Sequence, residues 1–252
     1  MSRHLDRPAW DTYIREFHRR RPGITEAVLS RCVDADGSTP YAWLVAGIEP
    51  TSRVLDVACG SAPTQPLITG RWLGVDRSPT ELARARSEHD AMVVHGDASA
   101  LPVQSRSVDV VIVSMALMLI DPLGEALAEI HRVLVAGGEL RALLPTTSPM
   151  TIRDRWTYAR LATAARSIPR FPPTPLHHNL AVLDDARLTV TDDERRRFTH
   201  HLGDATATRR FVDSWYTAHK LSDAPIPNRR GRQLPNITAV TVPLRRIIAR
   251  RA

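Results

Sequence analysis

Five short apolar runs punctuate the first 145 residues. Residues 53–57 (RVLDV) and 72–76 (WLGVD) are the first two, and 91–95 (AMVVH) is the third. Residues 108–114 (VDVVIVS) and 139–144 (ELRALL) complete the set. Runs with so little polar alternation predict parallel strands buried on both faces. Between them lie helical patterns. Ser78-Pro79-Thr80-Glu81 predicts a capping box with proline at the first helical position, opening a helix that carries Leu82, Ala83 and Ala85. Asp121-Pro122 opens another, whose Leu123, Leu127, Ile130 and Leu134 recur in steps of four and three until Gly137-Gly138. Residues 63–70 leave room for barely two helical turns between the first two strands. Strand and helix alternate throughout, and this order predicts an α/β fold with a parallel sheet.

The flanks read differently. Trp10, Tyr13, Ile14 and Phe17 recur at helical spacing ahead of Pro22-Gly23; Thr25 is then expected to cap a second helix through Leu29, and Pro40 to begin a third. After residue 145 the pattern predicts a helix bearing Trp156, Tyr158 and Leu161, a proline-rich elbow over 169–175 and a short helix near 177–184. A strand over 188–190 follows, with its continuation towards Phe198 left open, then a helix over 206–221 with Phe211, Trp215 and Tyr216. The β-rich stretch 237–249 contains Pro243, which predicts a bulge or an edge.

At 252 residues and 43% hydrophobic, the chain has room for one large α/β domain plus a modest cap. Its most apolar run, 110–120, is too short to span a bilayer, and residues 1–20 are charged without an apolar signal core. Two cysteines, Cys32 and Cys59, do not make a disulfide framework. A cytoplasmic protein is the expectation. Net charge is +7, and every basic residue except Lys220 is arginine. Clusters at 19–21, 195–197, 229–232, 245–246 and 250–251 raise the question of a nucleic-acid surface. They are scattered and lack the interleaved aromatics that stack bases, so solvated faces are favoured.

Residues 54–62 (VLDVACGSA) join a buried strand to a turn of small residues, where backbone N–H groups approach a ligand closely. Asp76 ends the next strand, where a doubly wound sheet presents a carboxylate to ribose hydroxyls. A nicotinamide fingerprint would need glycine at 58 and 63, where Ala58 and Pro63 stand.

The ordered series VLDVACGSA, GVDRSPTELARAR, HGDASALP, VDVVIVSMALMLID and HRVLVAGGEL resembles the motifs of class I S-adenosylmethionine-dependent methyltransferases. It is closest to the type-11 subgroup, which includes the ubiquinone and menaquinone methyltransferases. The resemblance spans roughly 52–145. It implies a Rossmann-like, seven-stranded, mostly parallel sheet in the order 3-2-1-4-5-7-6, with strand seven antiparallel. It also implies a helical cap over 1–48 and a methyltransferase domain over 49–252, with helical lid insertions near 147–176 and 204–234. S-adenosyl-L-methionine is the implied cofactor, with no metal.

Carried over by position, Asp56, Ala58, Cys59, Gly60 and Ser61 would lie against the methionine portion. Asp76 would accept from the ribose, with Arg77 beside the adenine. Asp97 and the backbone of Ala98 would meet the adenine edge, and Ser114 would touch the amino-acid end through its backbone. Carboxylates suit these tasks because they only accept, and those ligand groups donate. The family turn usually has glycine at 58 and 62; the two alanine methyls are expected to clear the ligand if φ is negative. Cys59 reads as a packing residue.

A sulfonium is already an activated methyl donor, so orientation and desolvation supply most of the acceleration. A hydroxyl acceptor also needs a base, for which His18, His177 and His178 are the candidates. After the fourth strand, Ser114-Met115-Ala116-Leu117 lacks the turn of exocyclic-amine nucleic-acid methyltransferases and the Pro-Cys of cytosine-carbon enzymes. The expected acceptor is a small organic molecule, of natural-product or quinone-like type, walled by Trp156, Tyr158, Trp215 and Tyr216. Two alternatives stay open. The arginine clusters favour an RNA methyltransferase, and Ala58 and Ala62 favour a non-catalytic partner protein. Oligomeric state and the methylated atom (O, N or C) are left open.

Overall fold

The computed structural model describes residues 7–165, 168–172, 174, 176, 179–216 and 237–252. The apolar runs become parallel strands Arg53–Val57 (β2), Arg71–Asp76 (β3), Val93–His95 (β4), Val108–Ser114 (β5) and Leu134–Pro145 (β6). In β5, Val110 and Ile112 join the core on one face of the sheet, while Val111 and Val113 join the core on the other. Both faces are covered, which is why these strands carry no polar alternation. Helix Leu123–Val133 (α5) buries Leu123, Ala126, Leu127, Ile130 and Val133, the stripe its spacing predicted.

Two long antiparallel strands finish the sheet. Leu188–His201 (β7) and Ala239–Arg251 (β8) pair with each other, and β8 also pairs with β6. Counted from β2, the order is 3-2-1-4-5-7-6, as expected, with β8 antiparallel. An eighth strand was not expected. Cys32–Val33 (β1) pairs with Thr199 and His200 of β7, so the first 48 residues are not purely helical. The pairing covers part of an edge that β7 would otherwise leave open.

Pro243 lies within β8 without a bulge, and the register break falls instead at Val190/Asp192. The β6 ladder ends at Pro145 opposite Leu244, and Thr146 N–H donates to the Pro243 carbonyl at 3.2 Å. A strand residue's N–H and C=O point to the same side. The donor that Pro243 lacks would therefore face the end of β6, where β8 has become an edge.

The N-terminal helices are Arg7–Arg20 (α1), Ile24–Leu29 (α2) and Pro40–Val45 (α3). Trp10, Tyr13, Ile14 and Phe17 of α1 pack with Tyr216 in one cluster. Gly23, at φ 70°, precedes α2 without a side-chain cap, so Thr25 does not play that part. Pro79–His89 (α4), Ile152–Ala165 (α6), Ala181–Asp185 (α7) and Ala205–Asp213 (α8) complete the α-helices of the described residues, and a 3-10 turn, Gln65–Leu67, lies between β2 and β3. The helix expected over 206–221 ends at Asp213, and its last five positions lie outside the described residues.

Most arginines of β7 and β8 pair with carboxylates, whereas Arg251 donates to the backbone carbonyls of His131 and Leu134. Arg245 forms a fork on Asp193 at 2.6 and 2.8 Å, and Arg246 bonds Asp192 and Glu194 at 2.9 and 3.1 Å. Arg196 reaches Asp34, Arg197 reaches Asp154, and Arg250 reaches Glu139. Residues 229–232 lie outside the described residues.

Candidate active site

Strands β3 and β5 flank β2, so the chain reverses its winding direction there and leaves a crevice beyond the strands' carboxyl ends. Helix α1 and Tyr216 help to wall it. The resulting cavity is ≈ 440 Å³, within the range of small-molecule sites.

Its floor is built by two turns locked together. Cys59 N–H donates to Val75 O at 3.1 Å, and Gly60 N–H donates to Asp76 Oδ2 at 2.8 Å. Asp76 Oδ1 accepts from Ser78 N–H at 2.7 Å, joining the floor to the first turn of α4. Burial pushes the Asp76 carboxyl above its ordinary pKa, against the pull of the two backbone donors.

The backbone here is left-handed at several non-glycine positions. Ala58 has φ 55°, Ala62 64° and Met115 56°, alongside Gly60 at 55°. The negative φ that would turn the two alanine methyls away from a ligand is therefore not met. Each left-handed alanine costs about 1–2 kcal/mol. The surroundings impose it: Ala62 is fully buried and bonds Cys59 O at 2.9 Å, while Met115 N–H donates to Leu143 O at 2.8 Å. A side chain on Gly60 would meet only Glu81 Oε2, 4.0 Å away, so this backbone faces open cavity.

Of the residues singled out in the sequence, Ala58, Cys59, Gly60, Ser61, Asp76, Arg77, Asp97, Ala98, Ser114 and His18 line the cavity. Asp56 does not. It lies beneath the turn, 1% exposed, accepting from Thr64 Oγ1 while Oδ1 has no partner. Its direct contact with a ligand is corrected to support of the turn. Burial, with a smaller contribution from Asp76, raises its pKa to about 7 despite the Thr64 bond. Cys59 is 5% exposed and burial pushes its thiol well up; its Sγ fills space beside Gly74, in keeping with packing.

Arg77 pairs with Asp11 of α1 at 2.7 Å, and Ser61 Oγ donates to Glu26. Asp97 Oδ1 accepts from Ser99 N–H at 3.0 Å and Ser99 Oγ at 2.8 Å, which hold its carboxyl below the ordinary range. Ser114 Oγ is buried without a partner. His177 and His178 lie outside the described residues.

The sequence reading missed Glu81 as a cavity residue. The capping box half-forms: Ser78 Oγ accepts from Glu81 N–H, but the Glu81 carboxylate does not return to Ser78. It accepts instead from Gly23 N–H at 2.8 Å and meets His18 Nδ1 at 2.9 Å. His18 Nε2 lies 2.9 Å from Tyr216 Oη. Of the four aromatics expected to wall an acceptor, Tyr216 lines the cavity. Trp156 is 68% exposed, and Tyr158 stacks on buried Trp215 and donates to Thr241 O at 2.9 Å.

A crevice at the switch point of an α/β sheet, floored by a small-residue turn and a strand-end carboxylate, is the geometry that the comparisons with known proteins bear on. Residues 55–142 match the type-11 family model described as a methyltransferase domain. Demethylmenaquinone methyltransferase of Staphylococcus saprophyticus is 32% identical over 114 residues, covering 41% of this chain and 48% of that protein. The Listeria monocytogenes protein of the same name is 30% identical over 114 residues, covering 40% and 48%. The chain thus spans about half the length of these relatives. Among solved structures, one from work on conversion of a disulfide bond into a thioacetal group during echinomycin biosynthesis aligns with TM-score 0.55 at 18% identity, over 89% of this chain and 84% of that one. The 4+2 cyclase SpnF aligns with TM-score 0.52 at 16% identity, over 84% and 79%. These two likenesses concern the fold.

Proposed function

We propose that the protein is an S-adenosyl-L-methionine-dependent methyltransferase whose acceptor is a small organic molecule of quinone-like or natural-product type. The observation that carries this reading is Asp76, which fastens the 58–61 turn through Gly60 while itself lining the cavity with Asp97. The donor set suits the cofactor. Each Asp76 oxygen keeps acceptor capacity beyond its one backbone bond, as ribose hydroxyls require. Asp97 has Oδ2 left for an exocyclic amine, with Ala98 N–H and Arg77 beside it. The unpartnered Ser114 Oγ and the left-handed turn line the region assigned to the amino-acid end.

When bound, the cofactor supplies a sulfonium methyl open to in-line displacement. The protein's part is to orient and to exclude water. Ile14, Met115, Leu119 and Ile120 give the cavity apolar walls for this. Helix α1 acts as the cap, and of the two segments expected as lids Tyr216 is the described residue that reaches the cavity. His18 is the candidate base among the described residues.

The arginine pairing along β7 and β8 weighs against the RNA reading, because Arg245, Arg246 and Arg250 already have carboxylate partners. No helix of the described residues is long and apolar enough to cross a membrane, and we take the protein to work in the cytoplasm. A non-methylating role is the second reading, favoured by the strained Ala58 and Ala62. Calorimetric titration with S-adenosylhomocysteine separates the two: one site per chain supports the enzyme, and no binding at about 1 mM refutes it.

A further inference from the structure

We propose that Tyr216, His18 and Glu81 form a proton-accepting relay, and that the acceptor is therefore a hydroxyl compound. The inference rests on the methyl-transfer reading and names its substrate class. The three side chains come from distant parts of the chain, on the segment after α8, on α1 and on α4, and all line the one cavity. Glu81 Oε2 is held by Gly23 N–H at 2.8 Å, which leaves Oε1 to meet His18 Nδ1 at 2.9 Å. A carboxylate accepts only, so Nδ1 carries the proton and Nε2 presents its lone pair. Tyr216 Oη, 2.9 Å away, donates to it.

The phenol is fixed in place. Its ring meets Phe17, Phe171 and Tyr13 edge-on, with centroids 4.8, 5.8 and 6.3 Å away, and Arg170 N–H holds its backbone carbonyl at 2.9 Å. Of the other charged groups on this wall, Arg15 bonds Asp11 and Arg19 bonds Glu16, while Asp76, which holds Gly60 and Ser78, lies close enough to act electrostatically on both His18 and Glu81. Burial keeps the Tyr216 phenol well above its ordinary pKa, so it conducts a proton without storing negative charge.

An amine attacks through its lone pair and sheds a proton afterwards. A hydroxyl is a weak nucleophile until its proton leaves, so it needs a base poised in a dry site. In the relay, the acceptor's O–H bond breaks and its proton passes to Tyr216 Oη as the tyrosine's own proton moves to His18 Nε2. The freed electron pair on the acceptor oxygen forms the O–CH₃ bond, and the carbon–sulfur pair returns to sulfur. An imidazolium is left beside the Glu81 carboxylate, and charge balances. His18 and Tyr216 handle the proton; Glu81 is a positioning residue.

The probe is 4-nitrophenol, titrated spectrophotometrically against the full chain loaded with S-adenosylhomocysteine. Bound nitrophenol is expected to ionise at least about tenfold more readily than free nitrophenol, one pH unit lower. His18→Asn abolishes that gain, Tyr216→Phe removes most of it, and Glu81→Gln, which keeps an acceptor for Gly23, reduces it. All three are expected to bind S-adenosylhomocysteine within about threefold of the wild type. The relay is overturned if nitrophenol fails to bind, binds without the gain, or keeps the gain in His18→Asn. A loss of cofactor affinity of about tenfold or more in His18→Asn also overturns it, by moving that residue to the cofactor site. Failure of the wild type to bind S-adenosylhomocysteine would instead overturn the methyl-transfer reading.

Discussion

Asp56→Asn is predicted to remove a pH-dependent loss of stability. Asp56 is 1% exposed, with one oxygen on Thr64 and the other unpartnered. Its pKa is about 7 in the folded chain, against the ordinary 3.8. A carboxyl whose folded pKa lies above its unfolded value binds its proton more tightly in the fold. Its stabilisation is complete below about pH 4 and is lost as pH rises through 7. The gap of about three pH units, at 1.36 kcal/mol each, amounts to about 4 kcal/mol. Asparagine keeps the shape and an acceptor for Thr64, and it does not ionise. Urea unfolding of both proteins from pH 4 to pH 8 provides the assay. Carboxylates with lowered pKa, such as Asp109 and Glu139, slope the opposite way in both proteins, so the wild-type-minus-variant difference is the quantity to read. The variant should gain about 4 kcal/mol relative to wild type across that range, most of it between pH 4 and 7. A difference that stays flat with pH would refute the account of the buried carboxyl.

Asp76→Ala removes the acceptor of Gly60 and Ser78 N–H groups. It should lower S-adenosylhomocysteine affinity at least about tenfold and cost roughly 2–4 kcal/mol of stability, read by calorimetry and urea unfolding. Unchanged affinity would remove its ribose role. Gly60→Val places a branched side chain at φ 55° with only Glu81 within 4 Å. Binding should be lost, with stability lower by roughly 1–2 kcal/mol from backbone strain; a variant that folds and still binds contradicts the placement. Ala58→Gly relieves the same kind of strain at a half-buried position, offset by a more flexible unfolded chain. The net should lie between about 0 and +1 kcal/mol, with cofactor affinity kept. A clear drop in melting temperature would show that the alanine methyl packs more tightly than its partial exposure implies.

The parallel half of the fold was legible because burial on both faces writes itself as unbroken apolar runs, as in β5. The antiparallel half was harder. β7 is charged or polar at eleven of its fourteen positions, and Arg195-Arg196-Arg197 looked like solvated surface. Their partners are Asp34 and Asp154, far away in sequence, and the strand's own Asp193 and Glu194. β1 spans two residues, too few for any periodicity. At the site, the turn and Asp76 were readable from spacing and resemblance. Glu81 was not, since its place in an apparent capping box explained it locally. The left-handed alanines were also hidden, because tertiary contacts override the residue's own preference.

The central claim is that the hollow between Asp76 and Asp97 receives an adenosyl group. A crystal structure of the protein with S-adenosylhomocysteine tests it most directly. The account predicts ribose hydroxyls on the Asp76 carboxylate, adenine beside Asp97 and Ala98, and the amino-acid tail against the 58–61 turn. Density for the ligand away from these residues, or its absence from crystals grown with it in excess, would contradict the account.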